Sequence, residues 1–287
     1  MEKARLRIGP SPNLICWARA LPRRECGASV YESQEQILAG HWVFIPAREE
    51  IPVTFQIGIV ASDGVILASD KCGSYTVRKD PGTRGDSITR KIEISPDVPY
   101  VAHCSAGQTE ITDAIMRGFI ELHQQSAVRP CPPDMVESLL SKSACAVWEK
   151  MYGSMAQNNP PVTHQRSGIL LAYRGNLFHM SFDLFPSVKP IENKKAEGDA
   201  VNAALFFLER YWKIVERQDC NERTVKRLLP LAAHCILMAH VLNPDGVKGL
   251  EIAVCTREQC KRIDDLRELE EFSSQLDSEI AKRLGCT

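Results

Sequence analysis

Thr54 and Asp70 stand sixteen positions apart, and the residues between them are patterned to fold one back onto the other. Phe55, Ile57 and Ile59 alternate with Gln56, Gly58 and Val60, which is the period of a β-strand. Ser62-Asp63-Gly64 supplies a turn. Val65, Ile66, Leu67 and Ala68 then form a returning strand that delivers Asp70 beside the start of the first. A threonine hydroxyl is a poor nucleophile until a base removes its proton. A chain that begins at Thr54 owns such a base, because a free α-amine titrates at about 7.7 to 8.0, close to working pH. An internal threonine has an amide there and no basicity. Nucleophilic chemistry on Thr54 would therefore require a form of the chain that lacks residues 1–53.

Further pieces follow in order: Arg90-Lys91-Ile92-x-Ile94, then Tyr100-Val101-Ala102 leading to Ala106-Gly107 and a helix. With Thr54-x-x-x-Gly58-Ile59 and Asp63-Gly64-Val65-Ile66-Leu67-Ala68-x-Asp70, this ordered set resembles proteasome-type (20S proteasome β-like) subunits of the N-terminal nucleophile hydrolases, bacterial proteasome-like members included. The similarity runs from about Thr54 to about Arg257. Each piece alone is common: a threonine opening a strand is a β-former, Lys91 a surface lysine, Asp70 a turn acid and Gly107 a helix-entry glycine. The resemblance implies roles for them. Lys91 sits beside the Thr54 hydroxyl and stabilises its deprotonated form. Asp70 pairs with Lys91, and Gly107 offers its backbone N–H to the developing oxyanion, a donor typically worth about 3 kcal/mol.

The chain departs from the family pattern where supporting groups are expected. Gly198-Asp199-Ala200 stands for a Gly-Ser-Gly, and Asn243-Pro244-Asp245-Gly246 for a loop carrying an acid and a serine. Asp199, Asn243 and Asp245 are the residues in line to take over that support. Ser105, just ahead of Ala106-Gly107, falls near the specificity pocket that the resemblance implies, and its small size predicts room for large side chains.

The elements that must position these groups are legible as periods. Strands are expected at 91–94 and 100–105. Ile111, Ile115, Phe119 and Leu122 mark an amphipathic helix, and Pro132-Pro133-Asp134 starts a second. Strands return at Gly168–Tyr173 and Leu177–Phe182 around Arg174-Gly175-Asn176. A second helix pair covers 200–217 and 222–242, with Pro230 expected to kink the latter. A strand at 249–256 and a charged helix at 263–284 close the chain. Periodicity alone supports an α+β protein with antiparallel sheets. The resemblance sharpens this to a four-layer αββα sandwich, two antiparallel sheets flanked by helix pairs, the N-terminal nucleophile hydrolase fold.

Composition narrows the classes. The chain has 287 residues, 44% of them apolar, and a net charge of −1, as an ordinary globular protein has. No run of eighteen apolar residues predicts a membrane span, and no basic stripe predicts nucleic-acid binding. The eleven cysteines form no C-x-x-C pair, so reduced cysteines in a cytoplasmic protein are expected rather than a metal site or other cofactor.

Residues 1–53 carry no sustained period beyond a short helix expected at 31–38, and read as an extension to the domain at 54–287. It is either a propeptide or untranslated. Arg48-Glu49-Glu50 can be encoded as a purine-rich ribosome-binding sequence, and Val53 by an alternative start codon, which would yield Met-Thr-Phe and then a free Thr54. The expected function is a threonine peptidase forming an acyl-enzyme on Thr54. A peptide ligase or acyltransferase using the same residue is one alternative, and a non-catalytic scaffold subunit that retains the extension is the other. Peptides or unfolded proteins are the expected substrates and a homo-oligomeric ring the expected assembly. The sequence does not identify an ATPase partner.

Overall fold

A computed structural model describes residues 54–76, 84–152, 167–182, 185–198, 201–244 and 246–283. The helix expected at 31–38 and the extension to residue 53 lie outside the described residues.

The first hairpin pairs β1 (Gln56–Ala61) with β2 (Gly64–Ser69), Ala61 opposite Gly64, so the turn is Ser62-Asp63 and Gly64 already belongs to the strand. Alternation along β2 sends Ile66 and Ala68 to one face and Val65 and Leu67 to the other, and both faces are buried. A strand buried on both sides must be apolar throughout, which is why this stretch reads as a continuous hydrophobic run. A separate two-stranded ribbon, β3 (Cys72–Thr76) with β4 (Arg84–Ile88), follows, and sequence periodicity does not announce it.

The second sheet begins with β5 (Ile92–Ile94) and β6 (Val101–Ala106). Helices α1 (Thr109–Gln125) and α2 (Pro133–Tyr152) come next, then β7 (Ser167–Tyr173), β8 (Asn176–Phe182) and β9 (Pro186–Ile191). The chain returns to the first sheet with β10 (Lys194–Glu197). After α3 (Val201–Val215) and α4 (Val225–Leu242), that sheet is completed by β11 (Glu251–Cys255) and β12 (Cys260–Arg262), and α5 (Arg267–Arg283) ends the described chain. The strand orders are β10-β1-β2-β11-β12 and β5-β6-β7-β8-β9, with antiparallel neighbours throughout. The αββα sandwich is thus the observed architecture. Short polar strands β9, β10 and β12 escaped sequence reading because each is an edge strand or lies beside one, half wetted and without a clean period of two.

Three apolar clusters glue the layers. Phe55, Ile57 and Ile59 pack with Trp212 of α3 and Ile236 of α4 on the outer face of the first sheet. Ile169, Leu171 and Phe178 pack with Ile115 and Phe119 of α1 and Leu140 of α2 on the outer face of the second. Leu67 and Ala253 meet Ile92, Cys104 and Leu170 between the sheets. Helix α4 has the length and apolarity to cross a membrane, which the sequence reading denied. Its Leu228, Ala232, Cys235 and Ile236 are instead buried in the first cluster, and the helix runs on through Pro230.

Trp212 is 2% exposed and Phe206, on the same helix, 61%. Trp212→Ala should cost about 3 to 5 kcal/mol in denaturant unfolding, whereas Phe206→Ala should stay within about 0.5 kcal/mol of the parent.

Candidate active site

Thr54 stands two residues before β1 and, by alternation with Phe55, turns toward the second sheet. It is 6% exposed. Asp70 follows the last residue of β2. Its carboxylate accepts the Phe55 N–H at Oδ1 (2.9 Å) and the Cys72 N–H at Oδ2 (2.9 Å), while its own N–H donates to the Phe55 carbonyl (3.1 Å). Thr54 and Asp70 are thereby locked at one end of the hairpin.

Lys91 arrives from the other sheet, immediately before β5. Its Nζ donates to both carboxylate oxygens of Asp70 (2.9 Å each) and to Thr54 Oγ1 (3.1 Å). The ion pair is almost dry, with side-chain exposures of 9% for Lys91 and zero for Asp70. Two backbone donors on the carboxylate offset the loss of water, as a buried pair requires. The arrangement holds a cation against the threonine hydroxyl, where it favours negative charge on Oγ1.

A carboxylate that sequence reading passed over fixes Lys91 in turn. Glu251, 5% exposed at the start of β11, accepts the N–H groups of Lys91 (2.9 Å) and Ile92 (3.2 Å) at Oε2. Its Oε1 takes the Arg262 Nε (3.1 Å), and Arg262 also donates to the Ile92 carbonyl. The signal was present: an acid heading the apolar run Ile252-Ala253-Val254-Cys255 must be partnered if that strand is buried.

Gly107 follows β6 in a left-handed conformation, φ 100°, that glycine adopts without strain. The register Ile92↔Cys104 sets Lys91 level with Ser105, so Gly107 lies at the Lys91 end of that sheet. Gly198 was noticed only as part of an altered motif, yet it is packed on the threonine. At φ 114°, a Cβ there would stand 1.7 Å from the Thr54 carbonyl oxygen. Asn243 has a local job: its Oδ1 accepts the Gly246 N–H (3.0 Å) and caps the loop after α4. Asp199 and Asp245 lie outside the described residues.

A polar row crosses the first sheet on its inner face, through the partners Glu197, Gln56, Ser69 and Glu251. Glu197 meets His179 of β8 and Lys195 (3.3 Å). Burial pushes its carboxyl up, but His179 and Lys195 outweigh burial and hold it below the usual carboxylate range. The Gln56 amide, fully buried, has no hydrogen-bond partner among the described residues. No cluster of three or more metal-ligating side chains occurs among them either.

Two facing antiparallel sheets between helix layers are the fold of the N-terminal nucleophile hydrolases, and Thr54, Lys91 and Asp70 meet at one end of it. Among solved structures, the chain is similar to Anbu (ancestral beta-subunit) from Yersinia bercovieri, with a TM-score of 0.57, 13% identity, and coverage of 82% of this chain and 97% of that one. A mutant of Anbu from Hyphomicrobium sp. gives 0.56 at 13% identity, and a helical assembly of the Anbu complex from Pseudomonas aeruginosa gives 0.55 at 12%, each with the same coverages. No family model and no curated protein matches. At such identities the likeness shows the fold. It also corrects the resemblance to 20S proteasome β-like subunits drawn from the sequence, because these structures are Anbu proteins, a distinct family, and no family model or curated protein supports the 20S assignment. The physical reason is plain: the hairpin, lysine and glycine segments build a shared fold and do not distinguish its branches.

Gly198→Ala should destabilise the protein by more than about 3 kcal/mol, since it adds both a left-handed φ penalty and a backbone clash. Glu251→Ala should cost about 3 kcal/mol by stranding Arg262 and two N–H groups, and Glu251→Gln less. Chemical denaturation of the two pairs checks both.

Proposed function

We propose that the protein is a threonine-type amide hydrolase that cleaves peptides or unfolded chains through an acyl-enzyme on Thr54. The observation that carries this reading is the contact of Lys91 Nζ with Thr54 Oγ1 at 3.1 Å, held by a buried ion pair to Asp70. In the mechanism, the Thr54 α-amine takes the hydroxyl proton, directly or through a water, while Lys91 stabilises the charge left on Oγ1. The scissile carbonyl carbon bonds to Oγ1, and the tetrahedral oxyanion accepts the Gly107 N–H. Collapse expels the leaving amine, which takes the proton back from the α-amine, and water then hydrolyses the ester.

The chemistry demands that residues 1–53 be absent from the active form, by cleavage or by a later start. Self-association is part of the proposal. The helical assembly of the Pseudomonas aeruginosa Anbu complex supports it, and so do the exposed Phe206 and Ile214 on α3 and Val241 on α4.

Intact mass of the protein from its native host is the first test. A chain beginning at Thr54 is expected, and its Thr54→Ala variant should lose at least about a thousandfold in peptide turnover. A native mass that includes residues 1–53 would overturn the hydrolase reading in favour of a scaffold subunit.

A further inference from the structure

Two cysteines meet across the last hairpin of the first sheet, Cys255 on β11 directly opposite Cys260 on β12. On either side of them, Thr256 donates its N–H to the Gln259 carbonyl (2.8 Å) and Ile263 its N–H to the Ile252 carbonyl (3.0 Å). Hydrogen-bonded pairs alternate with non-bonded ones along an antiparallel ladder, so Cys255 and Cys260 are a non-bonded pair, the kind whose side chains stand closer. The Cys260 N–H accordingly turns out of the ladder and donates to the Pro99 carbonyl (2.6 Å). Cα atoms of such a pair lie about 4.5 Å apart, within the span of about 4.4 to 6.8 Å that a disulfide bridges. Both side chains enter the apolar layer between the sheets, and their thiols share a hydrogen bond.

The two thiols are unevenly placed for reaction. Cys255 is fully buried, and its hydrogen bond to Cys260 and its burial hold its thiol well above the ordinary range. Cys260 is 7% exposed and opens a three-residue strand at the edge of the sheet, just after the exposed turn residues Arg257 and Glu258. Edge segments open locally at small cost, and such opening brings Cys260 to solvent first. A third thiol of the same layer, Cys104, comes from β6 of the other sheet. It is fully buried, and burial pushes it up, away from the thiolate that exchange requires.

We propose that Cys255 and Cys260 form a reversible oxidation site, a dithiol that a small-molecule disulfide of the glutathione type closes into a cross-strand bridge. Cys260 Sγ, as thiolate, attacks one sulfur of the oxidant and breaks its S–S bond, releasing one reduced thiol. Cys255 Sγ then attacks Cys260 Sγ in the mixed disulfide and displaces the second. Two electrons pass from the cysteine pair to the oxidant, and the two cysteine protons end on the released thiols. The bridge also acts on its neighbours. Arg262 lies two residues beyond Cys260 on the same face of β12, where it donates to Glu251 (3.1 Å) and to the Ile92 carbonyl. Tying β12 to β11 restricts opening of the edge strand and so keeps Arg262 on the backbone beside Lys91.

The test incubates the full chain with oxidised glutathione, alkylates it, digests it with trypsin and maps it by mass spectrometry without reduction. Peptides 249–257 and 258–261 are expected as one linked species, short of their sum by two hydrogens and separated by dithiothreitol. Cys104→Ala should keep the linked species and Cys260→Ala should lose it, and the map of the unmutated chain decides where a variant fails to fold. Linkage of Cys255 to Cys104, glutathione retained on Cys260 alone, or reaction confined to the exposed Cys145 and Cys220 overturns the proposal. Hydrogen exchange reads the effect on the edge strand: the Ile263 amide should exchange about tenfold more slowly once the bridge closes. An unchanged rate rejects the link between oxidation and the hold of Arg262.

Discussion

The site depends on one electrostatic constraint: a lysine and an aspartate that meet almost out of water. Neither residue is tolerable there alone, because an unpaired buried charge costs several kcal/mol. Asp70 comes from the end of a hairpin in one sheet and Lys91 from the start of a strand in the other. The pair can form only if the two sheets stack in one register, and the apolar layer of Leu67, Ala253, Cys104 and Leu170 between them favours that stacking. Folding and site assembly are therefore one event. Thr54 needs no device of its own, since it inherits its place from Phe55, the residue before the first strand, whose amide and carbonyl are both bound to Asp70.

Much of this was legible in the chain because the central elements are doubly buried. Continuous apolar runs such as Val65–Ala68 and Gly168–Tyr173 announce interior strands, and the spacing of Ile111, Ile115 and Phe119 announces a helix laid on them. What was not legible is polar and peripheral. The ribbon β3–β4 and the strands β9, β10 and β12 lack a hydrophobic period. Thr54, Asp70, Lys91 and Gly107 were singled out by order along the chain, and the structure sets the first three in contact. Glu251, Arg262 and the close approach of Gly198 were not, because each matters through a neighbour distant in sequence. Branch identity was illegible for another reason. The segments that carry the resemblance are those that build the shared fold.

Pairing across the first sheet also explains why polar groups accumulate at one end of an otherwise apolar interior. Glu197, Gln56, Ser69 and Glu251 are lateral neighbours, one from each of four strands. They form a level at which the sandwich changes from hydrocarbon to chemistry. Below that level the facing side chains are Leu67, Leu170 and Ala253. Above it stand Thr54 and Lys91.

The double grip of Glu251 and Arg262 on the backbone around Lys91 and Ile92 has a mechanical meaning. Both belong to the first sheet, and what they hold belongs to the second. Apolar layers resist being pulled apart but slide easily, since one methyl contact replaces another. Sliding is the displacement that would carry Lys91 away from Thr54 at no great loss of buried area. Directional bonds between the layers act as a stitch against that shear, placed one residue from the cation it protects. The molecule is thus stiffened along a single coordinate, the one on which the distance between Thr54 and Lys91 depends.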